Sequence, residues 1–94
     1  MDSRRICVKG RVQGVGFRYA LRDQAERLGL AGWVRNRADG SVEALVHGEA
    51  RAIERLIAWT RRGPPGAHVT AVDDEPTELD GERPNTRFEI RPSA

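Results

Sequence analysis

Cysteine, lysine, histidine and aromatic side chains are all scarce in this sequence, and each scarcity removes a class of explanation. The single cysteine, Cys7, excludes an intrachain disulfide, so nothing covalent braces the fold. Cys7 sits in Arg-Ile-Cys-Val-Lys with no histidine nearby in sequence, which argues against an activated thiolate. The two histidines, His47 and His68, are far apart and show no carboxylate or cysteine spacing, so no metal site is expected. No apolar run approaches the roughly 20 residues that a membrane-spanning helix needs, so no membrane partner is expected. The opening Met-Asp-Ser-Arg-Arg leads into no apolar stretch of signal-peptide length, and a cytoplasmic location is the expectation. Charge of one sign is also lacking. Sixteen basic and 14 acidic residues leave a net charge of +2, too balanced for nucleic-acid binding by bulk charge. Lys9 is the sole lysine; every other basic residue is arginine, a planar donor suited to phosphate oxygens.

What is present is one domain's worth of patterned chain. A length of 94 residues suits a single domain over 1–94, and 38% hydrophobic residues support a modest core. Ile6, Val8, Gly10 and Val12 alternate with Cys7, Lys9 and Arg11, the period of a half-buried strand. Gln13 to Phe17 is a glycine-punctuated turn. From Arg18 the period becomes helical: Phe17, Leu21, Ala25 and Leu28 fall on one face, Asp23 and Arg27 form an i,i+4 pair on the other, and Gly29 stops the helix. Gly32 to Arg37 reads as a strand, Ala38-Asp39-Gly40 as a hairpin turn, and Val42, Ala44 and Val46 as the returning strand that ends near Gly48. A second helix runs from about Glu49 to Arg62 on an Ile53, Leu56, Ile57 and Thr60 stripe. Arg61 and Arg62 suit its negative end, and Gly63-Pro64-Pro65-Gly66 terminates it. His68 to Val72 has strand character without a clear register, Asp73 to Thr86 reads mostly as acidic loop, and Phe88 and Ile90 mark a final strand. Strand, helix, strand, strand, helix, strand is the ferredoxin-like βαββαβ order. It predicts an α+β sandwich, an antiparallel sheet with both helices on one face.

Two places in this pattern carry chemistry. A strand–turn–helix junction at Gln13, Gly14, Val15, Gly16, Phe17 and Arg18 points free main-chain N–H groups at one spot, where the helix dipole adds roughly half a positive charge. Glycines let the backbone curl around an anion, and Arg18 lies where its guanidinium can reach the same anion. The dinucleotide fingerprint fails, because Tyr19 stands where its third glycine belongs, and no Gly-Lys-Ser/Thr follows for a P-loop. On these grounds the junction is either a phosphate cradle or simply a tight turn. Asn36 shares parity with Val34, which directs its amide toward the helix-covered side. It reads either as a residue that holds a water or as a turn-initiating asparagine bonded to its own backbone.

Gly10-Arg11-Val12-Gln13-Gly14-Val15-Gly16-Phe17-Arg18 resembles the first signature of the acylphosphatase family. Gly32-Trp33-Val34-Arg35-Asn36, with Gly40, Val42 and Gly48 at their spacings, resembles the second. Gly63-Pro64-Pro65-Gly66 and Phe88-Glu89-Ile90-Arg91 are similar to that family as well, so the resemblance covers nearly the whole chain. Only Asp73 to Thr86 departs, being longer and more acidic than the family pattern. The resemblance implies a ferredoxin-like hydrolase of small-molecule acyl phosphates, acting without cofactor or metal. It implies that the N–H groups of Gln13 to Arg18 and the Arg18 side chain hold the phosphate, while Asn36 orients the attacking water. A monomer is expected. Two rivals stand beside this reading. One is a single-stranded RNA binder, disfavoured because Ser41 to His47 carries no aromatic and only Trp33 offers a stacking ring. The other is an idle or regulatory domain similar to those fused to larger carbamoyl-transfer proteins.

Overall fold

The computed structural model describes residues 1–78 and 88–93. The chain runs β1 (Asp2–Arg11), α1 (Phe17–Arg27), β2 (Ala31–Asn36), β3 (Val42–Gly48), α2 (Ala50–Thr60), β4 (His68–Pro76) and β5 (Phe88–Ile90). The strands form a 5-stranded sheet in the order β4-β1-β3-β2-β5. β1 pairs antiparallel with both β3 and β4, and β2 pairs antiparallel with β3. The first four strands in this order are the expected ferredoxin-like arrangement.

The sheet is mixed rather than purely antiparallel. Both late segments, 68–76 and 88–90, are strands, and β5 adds to the β2 edge in parallel, with Gly32 opposite Phe88 and Val34 opposite Ile90. Phe88 then enters the core at 4% exposure, which accounts for its apolar character at the end of an acidic stretch.

The acidic stretch itself corrects the sequence reading in part. Asp73 to Pro76 is strand, not loop, because its charges meet the opposite sign across the ladder. Arg4 donates to Asp74 through Nε at 2.8 Å, Arg5 reaches Glu75 at 3.4 Å, and Lys9 lies 3.4 Å from Asp73. Cross-strand opposite charges offset the poor strand propensity of the acids. Thr77 and Glu78 leave the strand, and the rest of the expected loop, 79–87, falls outside the described residues. On α1, Asp23 lies 3.6 Å from Arg22, and Arg22 reaches Glu26 at 3.5 Å, in place of the expected Asp23–Arg27 pair. The second helix ends at Thr60, so Arg61 and Arg62 lie just past it.

Side-chain alternation decides where the core sits. Ile6 and Val8 of β1, Val34 of β2, and Val42, Ala44 and Val46 of β3 face the helices and are almost fully buried. They meet Phe17, Leu21 and Ala25 of α1 and Ile53, Leu56 and Ile57 of α2. Gly32 allows β2 and β3 to approach, since a Cβ there would run into the carbonyl oxygen of Leu45. No helix among the described residues is long and apolar enough to cross a membrane.

Candidate active site

The junction after β1 is anchored from below by Val12 and Phe17, which are 1% and 2% exposed. The Phe17 ring packs against Trp59, with centroids 5.5 Å apart and planes tilted by 59°. Between these anchors the chain turns through Gly14 and Gly16, both at φ 77°. Gly16 is the N-cap of α1 in the left-handed region, where a residue with a Cβ is strained. A Cβ built on Gly14 or Gly16 meets nothing within 4 Å, so these glycines serve backbone shape and not close packing.

The N-terminus of α1 has nothing of its own to satisfy it. No side chain caps it, and its first turn contains no acid. The first main-chain bond runs from the Ala20 N–H to the Gly16 carbonyl at 3.0 Å. The N–H groups of Phe17, Arg18 and Tyr19 therefore have no acceptor within the helix, and the positive end of the dipole lies on them. Arg18 is half-buried in this turn and, among the described residues, has no carboxylate partner. Arg4, Arg5, Arg22 and Arg35 are by contrast all paired with acids. The junction thus combines free main-chain donors with an unneutralised guanidinium.

Asn36 ends β2, opposite Val42. Its Oδ1 is buried and accepts no hydrogen bond among the described residues. Among the described residues the other buried side-chain nitrogen or oxygen without a hydrogen bond is Arg22 Nε, 3.5 Å from a Glu26 carboxylate oxygen, which leaves Asn36 Oδ1 as the uncharged orphan there. The turn-initiating role goes elsewhere. The Asp39 carboxylate accepts from the Ser41 N–H at 2.9 Å and from its hydroxyl at 2.6 Å, and these bonds hold the Asp39 pKa below its ordinary value. Asn36 keeps its acceptor free.

Gln13 does something that its sequence does not announce. Its Nε2 donates to the Arg37 carbonyl at 2.8 Å and to the Ser41 carbonyl at 2.9 Å. The Gln13 side chain is thus turned to the β2–β3 hairpin, and only its main chain remains available to an anion. The structure brings the loop beside the end of β2 through this contact. The side chains of Arg18 and Asn36 make no hydrogen bond to each other.

The opposite face of the sheet holds a second charged arrangement that sequence reading missed. Glu43 is 3% exposed, although it alternates with the core-facing Val42 and Ala44. It accepts from Arg35 Nε at 2.7 Å and Arg5 Nε at 2.5 Å. Burial pushes its pKa up, but the bonds from Arg35 and Arg5 outweigh this and hold it below the ordinary glutamate value. An ionised carboxylate on the far face cannot exchange protons with a group at the junction. The partners come from both neighbouring strands: Arg35 stands directly opposite Glu43 on β2, and Arg5 reaches it diagonally from β1, where Cys7 is the residue opposite. Trp33 on this face has the Arg35 and Arg91 guanidinium carbons each 4.9 Å from its ring centroid, so its faces are already engaged by cations.

Among the described residues no three His, Cys, Asp or Glu side chains converge to hold a metal ion. His47 Nδ1 is 2.7 Å from the Ser3 hydroxyl, and His68 starts the exposed edge strand β4.

A family model described as acylphosphatase matches residues 4–90. The chain is 53% identical over 93 residues to an acylphosphatase of Nitrobacter hamburgensis, covering 96% of this chain and 94% of that one. It is 55% identical over 78 residues to an acylphosphatase of Thiobacillus denitrificans, covering 83% and 88%. Its structure is similar to the crystal structure of acylphosphatase from Bacillus subtilis, with a TM-score of 0.88 and 41% identity over 97% of this chain and 99% of that one. It also resembles 12% of full-length HypF, crystallised in a phosphate- and nucleotide-bound form, with a TM-score of 0.85 and 29% identity.

Proposed function

The chain belongs to the acylphosphatase family, and from that premise we propose that the junction after β1 is its phosphate cradle and that Asn36 holds the water. The enzyme hydrolyses acyl phosphates to a carboxylate and inorganic phosphate. In this reading the main-chain N–H groups of Gln13, Gly14, Val15, Gly16, Phe17 and Arg18, with the Arg18 guanidinium, grip the phosphoryl oxygens. Charge-assisted donors converging on an anion are among the strongest polar contacts available.

The observation that carries the proposal is the buried, unpartnered Oδ1 of Asn36. An orphan buried acceptor costs on the order of 1–3 kcal/mol. That cost is relieved if the amide turns to open this oxygen, which then accepts a hydrogen from a water aimed at phosphorus. The water oxygen forms the new P–O bond, and the bond from phosphorus to the acyl oxygen breaks. Its electron pair leaves with the carboxylate. A carboxylate is a stable leaving group, so no strong acid is required there. The water's proton passes to a phosphoryl oxygen of the substrate, which removes the need for a side-chain base. What the protein supplies is alignment and stabilisation of charge on the phosphoryl oxygens.

The same reading takes 1–94 as one domain that works as a cytoplasmic monomer, serving small-molecule acyl phosphates and no nucleic acid. The acidic residues and Pro76 on the β4 edge support the monomer, since such residues oppose edge-to-edge pairing. The test is hydrolysis of benzoyl phosphate at neutral pH with excess chelator. Asn36→Ala is expected to lower kcat on the order of 10²–10³, a usual loss for one positioned polar group, while inhibition by inorganic phosphate persists. Arg18→Ala is expected to lose both turnover and phosphate inhibition. Wild-type turnover in Asn36→Ala would remove the water-holding role. Inactivity of the folded wild type would turn attention to a regulatory domain of the kind seen within larger proteins.

A further inference from the structure

The two halves of the proposed site stand on strands that are not neighbours. The cradle follows β1 and Asn36 ends β2, with β3 between them in the sheet. Two strand spacings of about 4.8 Å each separate their parent strands. Through the sheet alone, the position of Asn36 relative to the cradle depends on both ladders and their twist.

Gln13 bypasses that route. Its amide NH2 forks onto the carbonyls of Arg37 and Ser41 at 2.8 and 2.9 Å. Gln13 adjoins Gly14 of the cradle, and Arg37 adjoins Asn36. One hydrogen bond and one peptide unit on either side therefore connect the residue that turns the cradle to the residue with the orphan oxygen.

The hairpin closes without this amide. Arg37 N–H donates to the Ser41 carbonyl at 2.9 Å, and Gly40 N–H donates to the Arg37 carbonyl at 3.1 Å. Gln13 is the second donor to each of these oxygens, each of which has two lone pairs. Both of its partners are carbonyls, so the NH2 end alone fits, and both amide hydrogens are engaged. A side chain that is redundant for the turn and specific in orientation is suited to fixing a distance.

We infer that Gln13 is a positioning residue, whose side-chain amide sets the distance between the phosphate cradle and the Asn36 amide and so aligns the water with phosphorus. The inference rests on the water-holding role of Asn36 proposed above. Gln13 acts through Asn36 and touches the substrate only with its main chain. Its side chain should therefore matter to turnover and little to phosphate binding.

The experiment is a double-mutant cycle on benzoyl phosphate hydrolysis, with Gln13→Ala, Asn36→Ala and the double variant beside the wild type. The inhibition constant for inorganic phosphate is measured for each. Gln13→Ala is expected to lower kcat roughly tenfold, within the range that a small misalignment produces, and to leave phosphate inhibition within about twofold. In the Asn36→Ala background the same change is expected to have no further effect, because the group it positions is gone. Gln13→Met, which keeps the stem and loses both donors, provides the same comparison if the alanine variant folds poorly. Full kcat in Gln13→Ala, losses that multiply in the double variant, or a parallel loss of phosphate inhibition would each overturn the inference and leave the Asn36 reading standing. Wild-type turnover in Asn36→Ala alone would overturn that reading, and the inference with it.

Discussion

Glu43→Gln is expected to destabilise the protein by about 2–3 kcal/mol at pH 7 and by much less in acid. The figure starts from hydrogen bonds to charged groups, each worth about 1.5–3 kcal/mol. Glu43 accepts two of them, from Arg5 and Arg35, and is itself 3% exposed. The two arginine side chains are 34% and 35% exposed, so solvent screens each bond, and the sum is reduced accordingly. The amide keeps the shape and one acceptor but removes the charge, leaving two guanidiniums with no anion between them. For a domain of this size about 1 kcal/mol corresponds to 4–8 °C in Tm, so a fall of about 10–20 °C is expected. The pH dependence follows from the direction of the shift. Glu43 titrates below its ordinary value of 4.5 in the folded chain. Its contribution is therefore fully present above the unfolded value and is lost as pH falls through the folded one. Glutamine resembles the protonated acid, so the two stability curves should converge in acid. Urea unfolding followed by circular dichroism at pH 7 and near pH 3 measures the gap at both ends. An equal gap at both pH values, or none at pH 7, would refute the charge argument. Hydrolysis by the folded variant should be unaffected, since Glu43 lies on the face away from the junction.

Gly16→Ala should weaken inhibition by inorganic phosphate and lower stability by about 1–2 kcal/mol, the usual cost of placing a Cβ in the left-handed region. No neighbour is struck there, so an unchanged Tm would mean that the turn had rearranged. Leu21→Ala, on the fully buried face of α1, should cost about 2–5 kcal/mol by urea titration. A loss below about 1 kcal/mol would mean that α1 and the sheet close the cavity by moving together.

Much of this architecture was legible because alternation and helical spacing are written in the side chains. Ile6 and Val8, then Phe17, Leu21 and Ala25, give away β1 and α1 directly. The parity of Asn36 with Val34 gave its side of the sheet. Other features depend on partners that periodicity does not reveal. The strand character of Asp73 to Pro76 comes from Arg4, Arg5 and Lys9 across the ladder, against local propensity. The parallel pairing of β5 with β2 joins segments far apart in sequence, and three residues are too few to declare a neighbour. Glu43 alternates like a solvent-facing residue, yet it is buried where Arg5 and Arg35 bond to it from the neighbouring strands. The forked bond of Gln13 ends on main-chain carbonyls, which every residue carries and no sequence distinguishes.

The proposed cradle, being made from peptide N–H groups, has an unusual relation to heredity. Substitution changes side chains and leaves the amide hydrogen in place, unless proline is introduced. At Val15 and Tyr19, which are partly or largely exposed, many replacements would pass without altering the donors. The vulnerable positions are those that dictate curvature, Gly14 and Gly16, and the apolar pegs on either side, Val12 and Phe17. The main-chain share of the proposed grip is lost only by bending the chain, whereas the Arg18 share is lost with one side chain.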